Sequence, residues 1–229
     1  LKDMFNEAID FDNYEVEYKF DLPKEDDLSE ILFTTGTTGK SKGIKIVYRN
    51  NVAIAQNVSE AIGITNDDVE MVTAPMNHSM ALRRTYTVFY KGGTVVLTDG
   101  VKFIEDFFKL LDMYNVTGLT FAPAILEQLL KFAKDRFGTY SDRLRYIQLG
   151  SAPLSEKAKE TLKEMFPNTK LFNIYGATES GCTVSLEFSK YGDKKGSIGK
   201  PNVNAEIIFV DDNRNIVKAS AQNPGNLAF

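Results

Sequence analysis

The sequence predicts an α/β protein. It reads as a mainly parallel sheet with helices on both faces, preceded by a glycine-rich hairpin and followed by the start of a β-rich subdomain. Three observations predict this. Short apolar runs alternate with helical segments of roughly ten to fifteen residues, the pattern of strand–helix–strand units covered on both faces. Several of these runs end in polar, irregular stretches, where such a sheet places its site. The composition is that of an ordinary globular chain, with 43% hydrophobic residues, 25% charged residues and 16 glycines among 229 residues.

The elements follow in order. Residues 1–28 are acid-rich and read as partly irregular. "SEILFTTG" is a short apolar strand, and "GIKIVYRN" alternates Ile44, Ile46 and Tyr48 against Lys45, Val47 and Arg49, a period near two. The two enclose "TTGTTGKSKG", so the unit is a hairpin with a glycine-rich tip. "NNVAIAQNVSEAIG" reads as a helix with Val52, Ala55, Ala61 and Ile62 on its apolar face and Gly63 as its stop. "DVEMVTAP" and "GTVVLT" are strands with the helical "SMALRRTYTVFYKG" between them. "VKFIEDFFKLLDMYN" sets Phe103, Phe107, Leu110, Leu111 and Tyr114 on one helical face. The strand "VTGLTFAP" precedes the helix "AILEQLLKFAKDRFG", closed by Gly138. "LRYIQLG" is a strand, "SEKAKETLKEMF" a helix with Ser155 as N-cap, and "KLFNIYG" a strand. "NAEIIFVDDNRNIVKA" reads as two strands around a polar turn. The division expected is 1–49 for the lead-in and hairpin, 50–195 for the α/β subdomain, and 196–229 for a β-rich piece.

Charge and residue counts exclude several functions. A net charge of −4 offers no basic field for nucleic acid. No apolar run approaches the roughly 20 residues of a membrane span. The start "LKDMFNEAIDFDNYEVEYKF" is too charged for a secretory signal. One cysteine and one histidine leave no thiolate zinc cage and fit a reducing compartment, so a cytoplasmic location is expected. Read alone, Cys182 is a small buried hydrophobe, His78 a structural hydrogen-bonded residue or a site residue, and Tyr175 core packing or a nucleobase platform.

The hairpin tip carries the first sign of chemistry. With three glycines, hydroxyls, two lysines and no apolar residue, it suits a polyphosphate cradle. It is not the nucleotide-binding loop G-x-x-x-x-G-K-[ST]: Gly39, Lys40 and Ser41 match its second half, but Thr34 stands where its first glycine belongs. That loop also opens a helix, whereas this one joins two strands.

Four motifs then occur in order: "TTGTTGKSKG", "GSAPLS", "YGATE" and "GSIGKP". Together they resemble the adenylate-forming enzymes, a superfamily of acyl- and aryl-CoA synthetases, luciferases and peptide-synthetase adenylation domains. The likeness runs from about residue 28 to the last residue and is nearest to a carboxylate–CoA ligase. It implies ATP-dependent activation of a carboxylic acid to an acyl-adenylate, then transfer to CoA or to a carrier-protein thiol, with Mg²⁺ as cofactor. Thr35, Gly36, Thr37, Thr38 and Gly39 would wrap the β- and γ-phosphates, and Lys42 would face the departing pyrophosphate. Tyr175 would lie against adenine beside Asn173 and the Gly150–Ser151–Ala152 turn. Thr178 would bond the α-phosphate, and Glu179 with Thr34 would hold Mg²⁺. His78 would line the acyl pocket, bordered by Gly176 and Gly181.

Elementary chemistry agrees with that implication. A carboxylate attacking phosphorus needs no general base, and the barrier is charge on phosphate oxygens, relieved by donors, a lysine and a cation. The sequence departs from the family at Ser41, where proline is usual. The family's ribose-binding aspartate and mobile C-terminal domain are also not found, so an incomplete and inactive portion of a larger synthetase is expected, with a noncatalytic nucleotide-binding fragment as the alternative. "NHSMA" offers Ser79 and no acid to pair with an α-ammonium, which disfavours an amino-acid substrate. Oligomeric state is not legible.

Overall fold

A computed structural model describes residues 21–34, 41–98, 100–191, 194–220 and 222–228. The proposed cradle residues Thr35, Gly36, Thr37, Thr38 and Gly39 lie outside the described residues. The chain forms an antiparallel hairpin, β1 (Leu28–Thr34) with β2 (Lys42–Val47), as the glycine-rich tip predicts. A seven-stranded sheet follows, with β3 (Val69–Val72), β4 (Thr94–Leu97), β5 (Gly118–Phe121), β6 (Tyr146–Gly150), β7 (Lys170–Ala177), β8 (Gly181–Glu187) and β9 (Lys200–Pro201). Its spatial order is β4-β3-β5-β6-β7-β8-β9; β4 through β7 run parallel, while β8 and β9 are antiparallel. A short pair, β10 (Ile208–Val210) with β11 (Asn226–Ala228), closes the described chain.

Helices α1 (Tyr48–Ile62) and α2 (Ser79–Tyr90) cover one face. The other carries α3 (Ile104–Met113), α4 (Pro123–Phe132), α5 (Lys134–Gly138) and α6 (Glu156–Met165). Strand pleating explains the two layers: Ile147, Leu149 and Leu171 join the large core beneath α3–α6, while Tyr146, Phe172 and Ile174 pack with Val58 and Ile62 of α1. Phe137 meets Phe107, Phe121 and Phe166 within the first core. Ser155 caps α6 as expected, accepting from the Ala158 N–H, and Gly63 stops α1 in the left-handed region.

Several expectations are corrected. Tyr48 and Arg49 begin α1 rather than extending β2, because the Asn50 side chain accepts from the Val47 N–H and starts the helix there. The buried stripe of α1 is Ile54, Ala55, Val58 and Ile62; Val52 is exposed. On α3 the buried residues are Phe107, Phe108 and Leu111, while Phe103 and Tyr114 flank the helix and face solvent. The long helix expected over 124–138 breaks at Ala133, which swings Phe137 into the aromatic cluster; Gly138 lies inside α5 and is not its cap. "GCTVSLE" forms β8, a strand that no period of two in the sequence marks. The second arm expected after the 211–215 turn is one bridge, Val210 to Ile216, and β10 takes β11 as its strand partner.

Gly118 is dictated by packing. A Cβ at Gly118 would fall on the ring of Tyr146, its register partner on β6, and that ring is buried. Gly118→Ala is therefore expected to cost about 1–3 kcal/mol through overpacking. Urea unfolding of the variant checks this, and an unchanged midpoint would refute it.

Candidate active site

The parallel strands β3, β6 and β7 end on one side of the sheet, and the segments leaving them meet there. After β3 the chain turns through Pro75 to His78, whose Nδ1 accepts from the Met80 N–H and so caps α2. After β6, Ser151 adopts a left-handed conformation with φ of 67°, unusual for a residue with a Cβ. Its hydroxyl donates to Met80 Sδ at 3.2 Å, joining this turn to α2. After β7, residues 178–180 form a tight turn into β8. Gly176 is required there: a Cβ would fall on the Gly181 carbonyl. At Gly181, φ is 74° and a Cβ would sit 2.6 Å from Ile54 of α1.

These segments enclose a cavity of about 210 Å³. Of the residues singled out from sequence, His78, Gly150, Ser151, Gly176 and Thr178 line it, as does Gly181. Ala152, Asn173, Tyr175 and Glu179 lie close along the chain but do not line it. Tyr175 is 43% exposed on β7, presenting much of its ring to solvent. Glu179 is exposed in the turn. Thr34 and Lys42 face each other in register across the hairpin, and the Thr34 carbonyl accepts from the Ser41 hydroxyl at 3.1 Å. The hairpin is tied to the body by Tyr86, which donates to Glu30 Oε2 at 3.0 Å, and by Asn51, which donates to Ser29 Oγ at 3.2 Å. Burial, followed by Glu30, pushes the Tyr86 hydroxyl up to about 12, so it stays a donor at neutral pH.

Sequence reasoning missed Arg83, Gln148 and Cys182 as lining residues. Arg83 is 4% exposed and donates to the carbonyls of Ala177 and Thr178 at 3.0 and 2.6 Å. Ser79 and Thr178 hydroxyls stand 3.4 Å apart. Burial pushes the Cys182 thiol above its ordinary value, so it is a neutral wall of the cavity. A charged residue on an amphipathic helix reads as solvated, so no sequence signal marks Arg83.

The residues suit a hard cation better than a transition metal. Among the described residues no group of three His, Cys, Asp or Glu side chains gathers. Mg²⁺ uses one or two protein oxygens beside phosphate and water, which the exposed Glu179 carboxylate can supply. The backbone glycines and the Thr178 hydroxyl suit phosphate oxygens. Among the described residues no helix is long and apolar enough to cross a membrane.

Comparison with known proteins gives a consistent outcome. The family model described as "AMP-binding enzyme" matches residues 3–229. 4-coumarate-CoA ligase 1 of Narcissus pseudonarcissus is 29% identical over 213 residues, 89% of this chain and 38% of that protein. Peroxisomal OPC-8:0-CoA ligase 1 of Arabidopsis thaliana is 27% identical across 82% of this chain and 35% of its own length. Among solved structures, o-succinylbenzoate coenzyme A synthetase (MenE) of Bacillus subtilis, in complex with ATP and magnesium ion, superimposes with a TM-score of 0.74. It is 26% identical, with 86% of this chain and 40% of that one covered. The chain thus spans well under half the length of each.

Proposed function

Because this chain belongs to the AMP-binding enzyme family, we propose that it carries the nucleotide and acyl sites of an ATP-dependent carboxylic acid–CoA ligase. The observation that carries this reading is the convergence of His78, Gly150, Ser151, Gly176 and Thr178 on one cavity at the carboxyl ends of the parallel strands. In the first step a carboxylate oxygen of the acid bonds to the α-phosphorus of ATP, the α–β anhydride bond breaks, and pyrophosphate leaves. In the second, the CoA sulfur bonds to the acyl carbonyl carbon, its proton passes to solvent, and AMP leaves.

Each residue takes a physical role in these steps. Thr35 to Gly39 donate to the β- and γ-phosphates, and Lys42 offsets the charge that builds on pyrophosphate. Thr178 donates to the α-phosphate. Tyr175 stacks on adenine, with Asn173 and the Gly150–Ser151–Ala152 turn beside it. His78 borders the reacting carboxylate. Glu179 and Thr34 would hold Mg²⁺, which when bound supplies positive charge to the phosphate oxygens. Arg83 in the cavity wall weighs against an α-ammonium on the substrate, since like charges repel in a buried site. The CoA ligase relatives and the synthetase solved with ATP and magnesium ion support the reading. A cytosolic location is proposed on the single free cysteine, Cys182.

Acid-dependent exchange of pyrophosphate into ATP, measured on the full-length gene product with a panel of carboxylic acids, tests the proposal. Adding CoA or a carrier-protein thiol then identifies the acceptor. No exchange with any acid would sink it. Glu179→Gln keeps shape but loses the charge that holds the cation, so the Mg²⁺ concentration for half-maximal exchange should rise and the rate should fall. Wild-type Mg²⁺ dependence in that variant would place the cation elsewhere.

A further inference from the structure

Two consecutive arginines of α2 are buried and held in different ways, each with one guanidinium nitrogen (Arg83 Nε, Arg84 Nη1) that has no hydrogen-bond partner among the described residues. Arg84 is paired with the Glu70 carboxylate. Among the described residues Arg83 has no carboxylate in a salt bridge and no partner for its buried Nε, while Nη1 and Nη2 donate to two successive backbone carbonyls, Ala177 and Thr178. Burial presses the Arg83 guanidinium below its ordinary value, countered by the Glu30 and Glu179 carboxylates. An apolar side chain would fill the same space without desolvating a charge. The fork geometry of a guanidinium is what an apolar residue or a lysine cannot reproduce.

The two carbonyls belong to the end of β7 and the turn that follows it. In a trans peptide the C=O and the next N–H point in opposite directions. Drawing the Ala177 and Thr178 carbonyls onto Arg83 therefore turns the N–H groups of Thr178 and Glu179 away from it. Two further bonds hold the same turn: the Ala177 N–H donates to Ser180 Oγ at 3.2 Å, and Ser79 Oγ stands 3.4 Å from Thr178 Oγ1. Glu179 itself is exposed, so its direction is set by the backbone beneath it rather than by packing.

We propose that Arg83 is a positioning residue, whose grip on the Ala177 and Thr178 carbonyls sets the direction in which the Thr178 hydroxyl and the Glu179 carboxylate are presented to phosphate and cation. This rests on the function proposed above and adds to it a residue that no motif of the chain marks. Supporting groups behind metal and phosphate contacts typically contribute 10- to 100-fold in affinity or activity.

The test uses the full-length gene product and three variants, Arg83→Gln, Arg83→Lys and Glu179→Gln, with pyrophosphate exchange followed against Mg²⁺ and against the acid. Arg83→Gln should raise the Mg²⁺ concentration for half-maximal exchange roughly tenfold and lower kcat by roughly 10- to 100-fold, with the KM for the acid little changed. Arg83→Lys keeps the buried charge but not the fork, so it should shift Mg²⁺ dependence in the same direction by less. A purely structural role would lower the melting temperature and the active fraction but leave Mg²⁺ dependence untouched. That outcome in Arg83→Gln, or in Arg83→Lys if the glutamine variant does not fold, overturns the proposal while Glu179→Gln still shows its shift. If Glu179→Gln also keeps wild-type Mg²⁺ dependence, the cation assignment itself fails and the role given to Arg83 falls with it.

Discussion

Lys42→Ala is expected to slow adenylate formation on the order of a hundredfold. Removing one preformed contact to developing charge typically costs about that much. The charge on the departing pyrophosphate is greater in the transition state than in bound ATP, so the loss should fall on the rate of exchange more than on the KM for the acid. Lys42 is well placed for a clean measurement. It is exposed at the first position of β2, opposite Thr34. The fold of the variant should therefore match the parent, and its melting temperature provides the control. Pyrophosphate exchange at the parent rate would remove this lysine from the mechanism.

Arg84→Met should be the most destabilising of the changes considered. Arg84 and Glu70 form an ion pair with almost no solvent access; Nε donates to Glu70 Oε1 at 2.8 Å, and the Tyr146 hydroxyl donates to Glu70 Oε2 at 2.6 Å. Burial and the Glu70 charge hold the Tyr146 hydroxyl well above its ordinary value, so it serves as a neutral donor. Removing the arginine leaves a buried carboxylate with one hydroxyl for company, a loss of about 3–5 kcal/mol. Replacing both partners together, as in Arg84→Met with Glu70→Leu, removes the stranded charge and should recover much of that. Urea denaturation of the single and double variants reads the difference. Equal midpoints for the parent and Arg84→Met would show that water reaches Glu70 after all.

These two positions also mark the border of what could be read without coordinates. The hairpin that carries Lys42 was legible because glycines, hydroxyls and lysines with nothing to bury suit a tip between two strands, and the family because "GSAPLS" and "YGATE" follow in order. The parallel sheet was legible from short apolar runs between helices, and Ser155 and Gly63 from the chemistry of helix ends. Each of these signals is local: a dihedral preference, an unsatisfied N–H, a period of two.

The rest depended on neighbours far away in the chain. Which stripe of α1 is buried was decided by β6 and β7, whose Tyr146, Phe172 and Ile174 pack on Val58 and Ile62, and Asn57 fixes the helix on β8 by donating to the Cys182 carbonyl. The identity of β8 as a strand followed from β7 beside it, since seven residues of mixed character carry no strong period of their own. Arg83 and Arg84 looked alike as helical charges. The sheet gave one of them a carboxylate and the other two carbonyls of a turn that lies more than ninety residues on along the chain. Sequence alone thus determined the class of fold, the family and the motif residues that carry the likeness. Tertiary structure decided which of them share a cavity and what holds them there, because burial and partner are properties of a packed neighbourhood and not of any segment.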